Sequence, residues 1–212
     1  MPASTSEIKA YIQAAAIVIR EHAEEVAALD QAIGDGDHVA NLQRGLAALD
    51  SLAEELGQMD WPAAFQKIGM SLMSSVGGAS GSLYGTFFLA MSKAIRNKEM
   101  NLPNLAEAFS QGVEAMKQRG KADLGEKTML DVLIPVANAL QQAAQESWAL
   151  PQALENINRV AEAGCESTRD LIATKGRASF LGERARGHID AGARTSQLMI
   201  GAIGDVVAKS LQ

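Results

Sequence analysis

The sequence has few of the residues that mark several common classes of protein. It contains one cysteine, Cys165, in 212 residues, which excludes an internal disulfide framework and favours a reducing compartment. Aromatic residues make up 4% of the chain and there are only 5 prolines, a composition that disfavours a β-sandwich. The longest apolar run, residues 14–19, is too short to cross a membrane. We expect a cytoplasmic protein with no secretory signal and no membrane partner.

Basic residues are also too few for a general nucleic-acid binder. Lys and Arg total 19 against 25 Asp and Glu, so the formal net charge is −6. Hydrophobic residues make up 47% and charged residues 21%, which are ordinary values for a folded globular chain. We therefore expect a single domain over residues 1–212, large enough for a substantial core, with no nucleic-acid partner.

Helical periodicity extends along the chain, and no stretch shows the alternation and turns of β-hairpins. We predict an all-α fold, an eight-helix antiparallel up-and-down bundle. Pro135 is expected to kink the sixth helix or to lie in its irregular start. The first predicted helix begins at Ser4 or Ser6 and ends near Leu29. The other seven cover residues 41–56, 60–76, 80–97, 104–119, a segment that begins at Thr128, 151–174 and 193–211.

Glycine is abundant for a helical protein. The chain has 19 glycines, although each costs a helix interior about 1 kcal/mol relative to Ala. Many of them fall in the loops after the first, third, fifth and seventh predicted helices. Alternate loops of an up-and-down bundle lie at the same end, so we predict that these four loops converge on one site.

The first of these loops, residues 29–38, carries Asp30, Asp35 and Asp37. Gly34 and Gly36 permit a chain reversal that would direct all three carboxylates at one centre. Carboxylate oxygens are ligands suited to Mg²⁺ or Ca²⁺, although the spacing is not that of an EF-hand. The alternative is that these are turn, capping and surface residues beside glycine.

The second loop, residues 74–85, combines glycines with small residues before a helix. Small residues and the unpaired N–H groups of a helix start are suited to phosphate binding. The segment lacks the Gly-Lys-Ser/Thr of a Walker A loop. The alternative is a helix end followed by a Ser-capped helix start, with Gly81 and Gly85 allowing close helix packing.

The remaining two loops differ in how strongly their residues indicate a functional site. Residues 119–129, taken alone, indicate a solvated connector. Residues 175–192 form a long connector, and long connectors are often functional. There, Arg177 is suited to neutralising a phosphate, and Asp190 or His188 could orient a ligand hydroxyl or base. We expect His22 and Cys165 to be structural.

Four ordered segments together resemble the L subunit of phosphotransferase-system-dependent dihydroxyacetone kinases. They are residues 29–38, SSVGGASGSLYGT (74–86), RGKADLGEKTMLD (119–131) and KGRASFLGERARGHIDAG (175–192). The resemblance implies an eight-helix antiparallel barrel with ADP or ATP at one end and two Mg²⁺ ions held by Asp30, Asp35 and Asp37. It implies catalytic roles for these residues and Arg177. The nucleotide contacts implied by motif match are His38, Asn41, Gly78, Ala79, Ser80, Gly81, Gly120, Met129, Arg177, Asp190 and Gly192.

The resemblance also implies a function and partners. ADP would stay bound and be rephosphorylated by a phosphohistidine on an M subunit, and the γ-phosphoryl would pass to dihydroxyacetone on a K subunit. The chain departs from the family's usual residues at Val39, Ala191, Arg194 and Thr195. Two alternatives stay open: an L-type subunit serving another acceptor, and a non-catalytic nucleotide-sensing module that binds a regulator, such as a transcriptional regulator.

Overall fold

The computed structural model describes residues 4–210, and these residues form helices and connecting loops without a strand. Short 3-10 segments cover Thr5–Glu7, Thr168–Asp170 and Arg177–Ala185. Across the described part of the chain, no helix has both the length and the apolar character needed to cross a membrane. The α-helices are α1 (Ile8–Glu21), α2 (Ala23–Ile33), α3 (His38–Leu56), α4 (Trp61–Ser75), α5 (Gly78–Ala94), α6 (Leu102–Gly120), α7 (Leu130–Gln145), α8 (Leu150–Ser167) and α9 (Ala191–Lys209).

The helices form a closed ring. Each helix from α3 to α8 packs against the next one in the chain, and α1 contacts both α9 and α3. Short connections between successive helices from α3 to α8 make these neighbours antiparallel. The main apolar cluster lies inside this ring and includes Ile19, Leu56, Ile95 and Met116, each fully buried. The predicted all-α antiparallel barrel is therefore confirmed.

The first predicted helix is divided in two, which the periodicity did not indicate. At His22 the backbone leaves the helical conformation (φ −102°, ψ 15°), and α2 continues in a new direction to Ile33. His22 Nδ1 lies 2.8 Å from Glu25 Oε2, and Arg194 Nε on α9 donates to Glu25 Oε1 at 2.7 Å. These contacts draw the start of α2 towards α9. The eight-membered ring is retained because α2 extends from α1.

One other predicted boundary was wrong by several residues. The seventh predicted helix was expected to reach Thr174, whereas α8 ends at Ser167. The Thr168 hydroxyl donates to the Cys165 carbonyl at 2.7 Å, and the Thr168 carbonyl accepts a hydrogen bond from Lys127. The local bond to Cys165 and the long-range contact with Lys127 together end the helix, and no local pattern indicates the second of them. The predicted end at Leu211 lies outside the described residues.

Pro135 lies inside α7, where its missing N–H leaves the Asp131 carbonyl without the usual helical donor. Gly164 of α8 packs against that carbonyl: a Cβ at Gly164 would lie 2.2 Å from the Asp131 oxygen. Glycine at this position therefore lets α8 approach the part of α7 that Pro135 has altered.

Candidate functional site

The three acidic residues of the first loop are brought together. Asp30 is buried in the last turn of α2, and Asp35 and Asp37 are exposed in the loop that follows. Each offers one carboxylate oxygen such that these oxygens all lie within 4.8 Å of one another. The predicted convergence of the three carboxylates is confirmed as geometry, and oxygen ligands at this separation fit a hard divalent cation such as Mg²⁺.

Gly34 allows this reversal because its backbone is flexible and also because the position leaves no room for a side chain. A Cβ at Gly34 would lie 1.9 Å from Asp30 Oδ1 and 2.8 Å from the Asp30 carbonyl oxygen. Any side chain at position 34 would therefore displace the Asp30 carboxylate. Gly36, with φ +77°, supplies the left-handed residue that the turn needs.

Asp30 is held in place by the start of α3. The His38 N–H donates to Asp30 Oδ2 at 3.0 Å. His38 Nε2 lies 3.0 Å from the hydroxyl of Thr195 on α9. Burial lowers the pKa of His38, with the nearby acidic residues opposing that shift, so the neutral ring is favoured. Thr195, one of the departures from the family pattern, still supplies a hydroxyl to this contact.

The second loop lies beside the first. A Cβ at Gly77 would lie 2.5 Å from Oδ1 of Asn41, a buried residue of α3. Helix α5 begins at Gly78, and its N-cap residue Gly77 provides no side-chain hydrogen bond. A Cβ at Gly81 would lie 2.2 Å from the Val76 carbonyl, so glycine allows the first turn of α5 to pack closely. The turn that holds Gly78, Ala79, Ser80 and Gly81 thus presents a positive helix end near the acidic cluster.

The third loop contacts the second and the fourth. Arg119 Nε donates to the Ser82 hydroxyl of α5 at 2.7 Å. A Cβ at Gly120 would lie 3.2 Å from Leu83. Met129 lies close to Gly192 at the start of α9, since a Cβ on Gly192 would be 3.2 Å from Met129 Cε. The third loop therefore contacts both neighbouring loops at this end of the barrel, and residues 121 and 123–125 are also solvent-exposed, as a connector would be.

The fourth loop returns to the acidic cluster. Arg177 Nε lies 3.0 Å from Asp35 Oδ2, with side chains 71% and 41% exposed, so this ion pair adds little stability. A small apolar cluster of Ala178, Ala185, Ala173 and Ile33 packs the loop onto the end of α2. The four glycine-containing loops thus contact one another in sequence around one end of the barrel, as predicted.

Asp190 begins α9 and accepts a hydrogen bond from the Ala193 N–H at 2.8 Å. Burial raises the pKa of Asp190 to about 6; the Ala193 N–H and Lys127 oppose this shift, whereas Asp131 and Asp30 add to it. The carboxylate therefore lies near the acidic cluster, where a further anion is unfavourable without added positive charge.

This pKa gives a prediction for the protein without ligand. The folded state binds the Asp190 proton more tightly than the unfolded state, so this group's contribution to stability falls as pH rises through the window from about 4 to 6. Asp190→Asn, which keeps an acceptor for Ala193, should remove that loss. Relative to wild type, the variant should gain on the order of 1–3 kcal/mol between pH 4 and pH 7. Urea unfolding at both pH values measures this change. If the free energies of unfolding of the two proteins differed by the same amount at pH 4 and pH 7, the prediction would be contradicted.

Lys127 and Asp131 are two buried charged residues that the sequence analysis did not place among the candidate site residues. Lys127 is 1% exposed, and its Nζ donates to the carbonyls of Thr168 and His188, the latter at 2.5 Å. Asp131 accepts from the N–H groups of Gly125 at 2.6 Å and Thr128 at 2.8 Å. Asp131 stands three residues after Thr128, a spacing similar to that of a capping box, whereas nothing local indicates that Lys127 is buried.

The site offers positive and negative groups, but neither Cys165 nor Tyr84 is a ready nucleophile. Burial raises the pKa of Cys165 to about 11 and the pKa of Tyr84 to about 12. Neither group is ionised at neutral pH, which fits their predicted or observed structural roles. The arrangement is suited to binding a cation and a phosphate-bearing ligand, and to chemistry that depends on positioning and charge.

Comparisons with known proteins agree with this geometry. The model of the DAK2 domain matches residues 32–205. The chain is 44% identical over 185 residues to the "PEP-dependent dihydroxyacetone kinase 1, ADP-binding subunit DhaL" of Listeria innocua, covering 87% of this chain and 88% of that protein. It is 37% identical over 201 residues to the corresponding subunit of Escherichia coli, covering 94% and 96% of the two chains.

A solved structure shares the fold. The crystal structure of the dihydroxyacetone kinase from C. freundii in complex with AMP-PNP and Mg²⁺ matches with a TM-score of 0.75 and 26% identity. The match covers 97% of this chain and 34% of that one, so the present chain spans about a third of it. Both the family model and the full-length relatives lead to one conclusion: the chain belongs to the DAK2 domain family.

Proposed function

We propose that this chain is the ADP-binding subunit of a PEP-dependent dihydroxyacetone kinase, a phosphotransferase acting in the cytoplasm as a single domain over residues 1–212. A phosphohistidine of an M-type subunit rephosphorylates the bound ADP. The γ-phosphoryl group then passes to dihydroxyacetone, or a similar small ketose, on a K-type subunit. The observation that carries the proposal is the meeting of three carboxylates just before α3, whose first turn contacts the uncapped start of α5 through Asn41. The names of the Listeria innocua and Escherichia coli relatives, which have nearly the same length, support it.

In this proposal Asp30, Asp35 and Asp37 hold Mg²⁺, and we expect two ions. A nucleoside diphosphate carries about three negative charges, and the three Asp residues add three more, so cations are needed before both can share the site. Magnesium supplies positive charge that offsets the phosphates and the transferred group. The buried Asp30 is fixed by the His38 N–H, Asp35 pairs with Arg177, and Asp37 is exposed.

The remaining site residues surround the proposed nucleotide. The first turn of α5, with Gly78, Ala79, Ser80 and Gly81, offers N–H groups to the phosphates. His38 and Asn41 lie on the adjoining start of α3. Gly120, Met129, Asp190 and Gly192 belong to the third and fourth loops, where we place the rest of the nucleotide. The contact of Met129 with Gly192 supports this grouping.

Arg177 is the proposed cationic partner of the transferred phosphoryl group. Its guanidinium lies 3.0 Å from Asp35 in the protein described here, so it already reaches the metal-binding residues. In phosphoryl transfer the protein contributes positioning and charge stabilisation rather than covalent chemistry. Arg177 beside three carboxylates fits that requirement.

Reconstitution tests the function directly. We expect the chain, loaded with Mg-ADP, to support formation of dihydroxyacetone phosphate when a K-type subunit and a phosphorylated M-type subunit are both present. Free ATP in place of the M-type subunit should support far less product. Omitting each subunit in turn provides the control.

The outcomes separate the alternatives. Transfer only to a different acceptor on another K-type subunit would indicate an L-type subunit of different specificity. Binding of Mg-ADP with no transfer, whichever partners are supplied, would contradict the kinase proposal and support a nucleotide-sensing module.

A further inference from the structure

Two adjoining residues of the third loop hold both ends of the fourth loop. Lys127, one of the largest fully buried side chains among the described residues, donates through Nζ to the carbonyl of Thr168 and to that of His188 at 2.5 Å. Thr168 precedes the fourth loop, and His188 lies near its end. The Thr168 hydroxyl also accepts a hydrogen bond from the Asp190 N–H at 3.0 Å, which ties this contact to the start of α9.

Glu126 contacts the other end of the loop. Its Oε1 accepts a hydrogen bond from the Thr174 hydroxyl at 2.6 Å and lies 3.6 Å from Lys175 Nζ. Its carbonyl accepts from the Thr174 N–H at 3.5 Å. The segment between the attachment at Thr174 and the attachment at His188 carries Arg177, and Asp190 follows soon after His188. The loop is therefore attached at its beginning by Glu126 and at its end by Lys127.

The backbone conformation of Lys127 indicates that the surrounding structure holds this residue in an unfavourable geometry. Lys127 adopts the left-handed conformation (φ +60°), which a residue with a side chain adopts at a cost of about 1 kcal/mol or more. Asp131 keeps the turn in place by accepting hydrogen bonds from Gly125 and Thr128 on either side of it. Placing an ammonium in the interior is also costly, and the acidic groups of Asp190 and Asp131 offset that cost.

We propose that Glu126 and Lys127 are positioning residues that fix the fourth loop, and with it Arg177 and Asp190, for nucleotide binding. This inference rests on the proposed function, because it assumes that the loop contacts ADP. The pair itself does not touch the nucleotide: it acts through the loop ends that it holds. Its loss should therefore lower affinity for ADP and loosen the loop while the barrel stays folded.

Three variants test the pair. Lys127→Met replaces the buried ammonium by an apolar side chain of similar length and leaves two carbonyls without their donor. Glu126→Ala removes the acceptor for Thr174, whereas Glu126→Gln keeps a neutral one. We expect Lys127→Met and Glu126→Ala to weaken Mg-ADP binding by about ten- to a hundredfold, the range seen when a residue supporting a ligand is removed. Glu126→Gln should bind closer to wild type.

Limited trypsin digestion supplies a second readout that does not depend on activity. The exposed residues Arg177, Arg184 and Arg186 are cleavage points within the fourth loop. Both disruptive variants should be cut there faster than wild type, while cleavage elsewhere changes little. Lys98→Met is the matched control: it makes the same substitution at an exposed pair with Glu107 and should change neither ADP affinity nor cleavage.

The results distinguish failure of this inference from failure of the function. If wild type itself does not bind Mg-ADP, the proposed function fails. If wild type binds, and folded Lys127→Met and Glu126→Ala proteins bind equally well with unchanged digestion, the positioning role is wrong. General destabilisation without selective cleavage in the loop would also overturn it. Should Lys127→Met fail to fold, Glu126→Ala alone decides, because its side chain lies near the surface.

Discussion

Asp30→Asn is expected to abolish phosphoryl transfer in the reconstituted system, with a loss of at least about a hundredfold. The substitution keeps the size of the side chain and an oxygen acceptor for the His38 N–H, but removes the charge from the one buried member of the acidic cluster. Metal-ion stabilisation of phosphoryl transfer is worth several kcal/mol, and each 1.4 kcal/mol is about tenfold in rate. The rate of dihydroxyacetone phosphate formation at saturating partner subunits measures the effect.

A matched control is available on α3. Asp50→Asn makes the same change at an exposed position and should leave the rate unchanged. The loss at Asp30 should be accompanied by weaker Mg²⁺ binding, with an unfolding midpoint close to that of wild type. Full activity of Asp30→Asn would contradict the assignment of the acidic cluster as the metal site.

Gly34→Ala is the second change with a large expected effect, although it adds only one methyl group. The new Cβ would lie 1.9 Å from Asp30 Oδ1, closer than any contact allows, so the Asp30 carboxylate must move. The φ of −123° at Gly34 is open to other residues, so α2 and the reversal should persist, with a shift of the Asp30 carbonyl, which the new Cβ would approach to 2.8 Å. We expect Mg²⁺-dependent ADP binding to fall by about tenfold or more, as for other losses of ligand orientation.

Gly201→Ala separates this effect from a general effect of replacing glycine. A Cβ at Gly201 on α9 meets nothing within 4 Å, so the variant should bind normally. It should also gain up to about 1 kcal/mol in free energy of unfolding, because Ala favours a helix interior. Isothermal titration and urea unfolding of both variants test this pair. Unimpaired binding by Gly34→Ala would show that Asp30 does not need its present orientation.

The fold followed from the sequence to a large extent because helices and their ends have local causes. Asp60, which stands directly before Trp61-Pro62, caps α4 through the Ala63 N–H, and the observed order of helices gives the predicted ring. The division at His22 could not be predicted in this way. It depends on Arg194, which lies far along the chain and reaches Glu25 only once α9 has packed beside α2.

The acidic cluster was predictable because its residues and glycines are neighbours in sequence. The support for the fourth loop was not, because it joins Lys127 to Thr168 and His188 across long stretches of chain. A lysine between Glu126 and Thr128 looks like an exposed charge when read alone. Its burial becomes apparent only when the third and fourth loops are assembled against α9.

The central claim is that Asp30, Asp35 and Asp37 bind the cation through which this end of the barrel accepts a nucleotide. Isothermal titration of wild type with ADP, in the presence of Mg²⁺ and after its removal by EDTA, tests this most directly. We predict tight binding with Mg²⁺ and a loss of at least about tenfold without it, because three carboxylates and the phosphates would then repel one another. Equal ADP affinity in both conditions would contradict the claim.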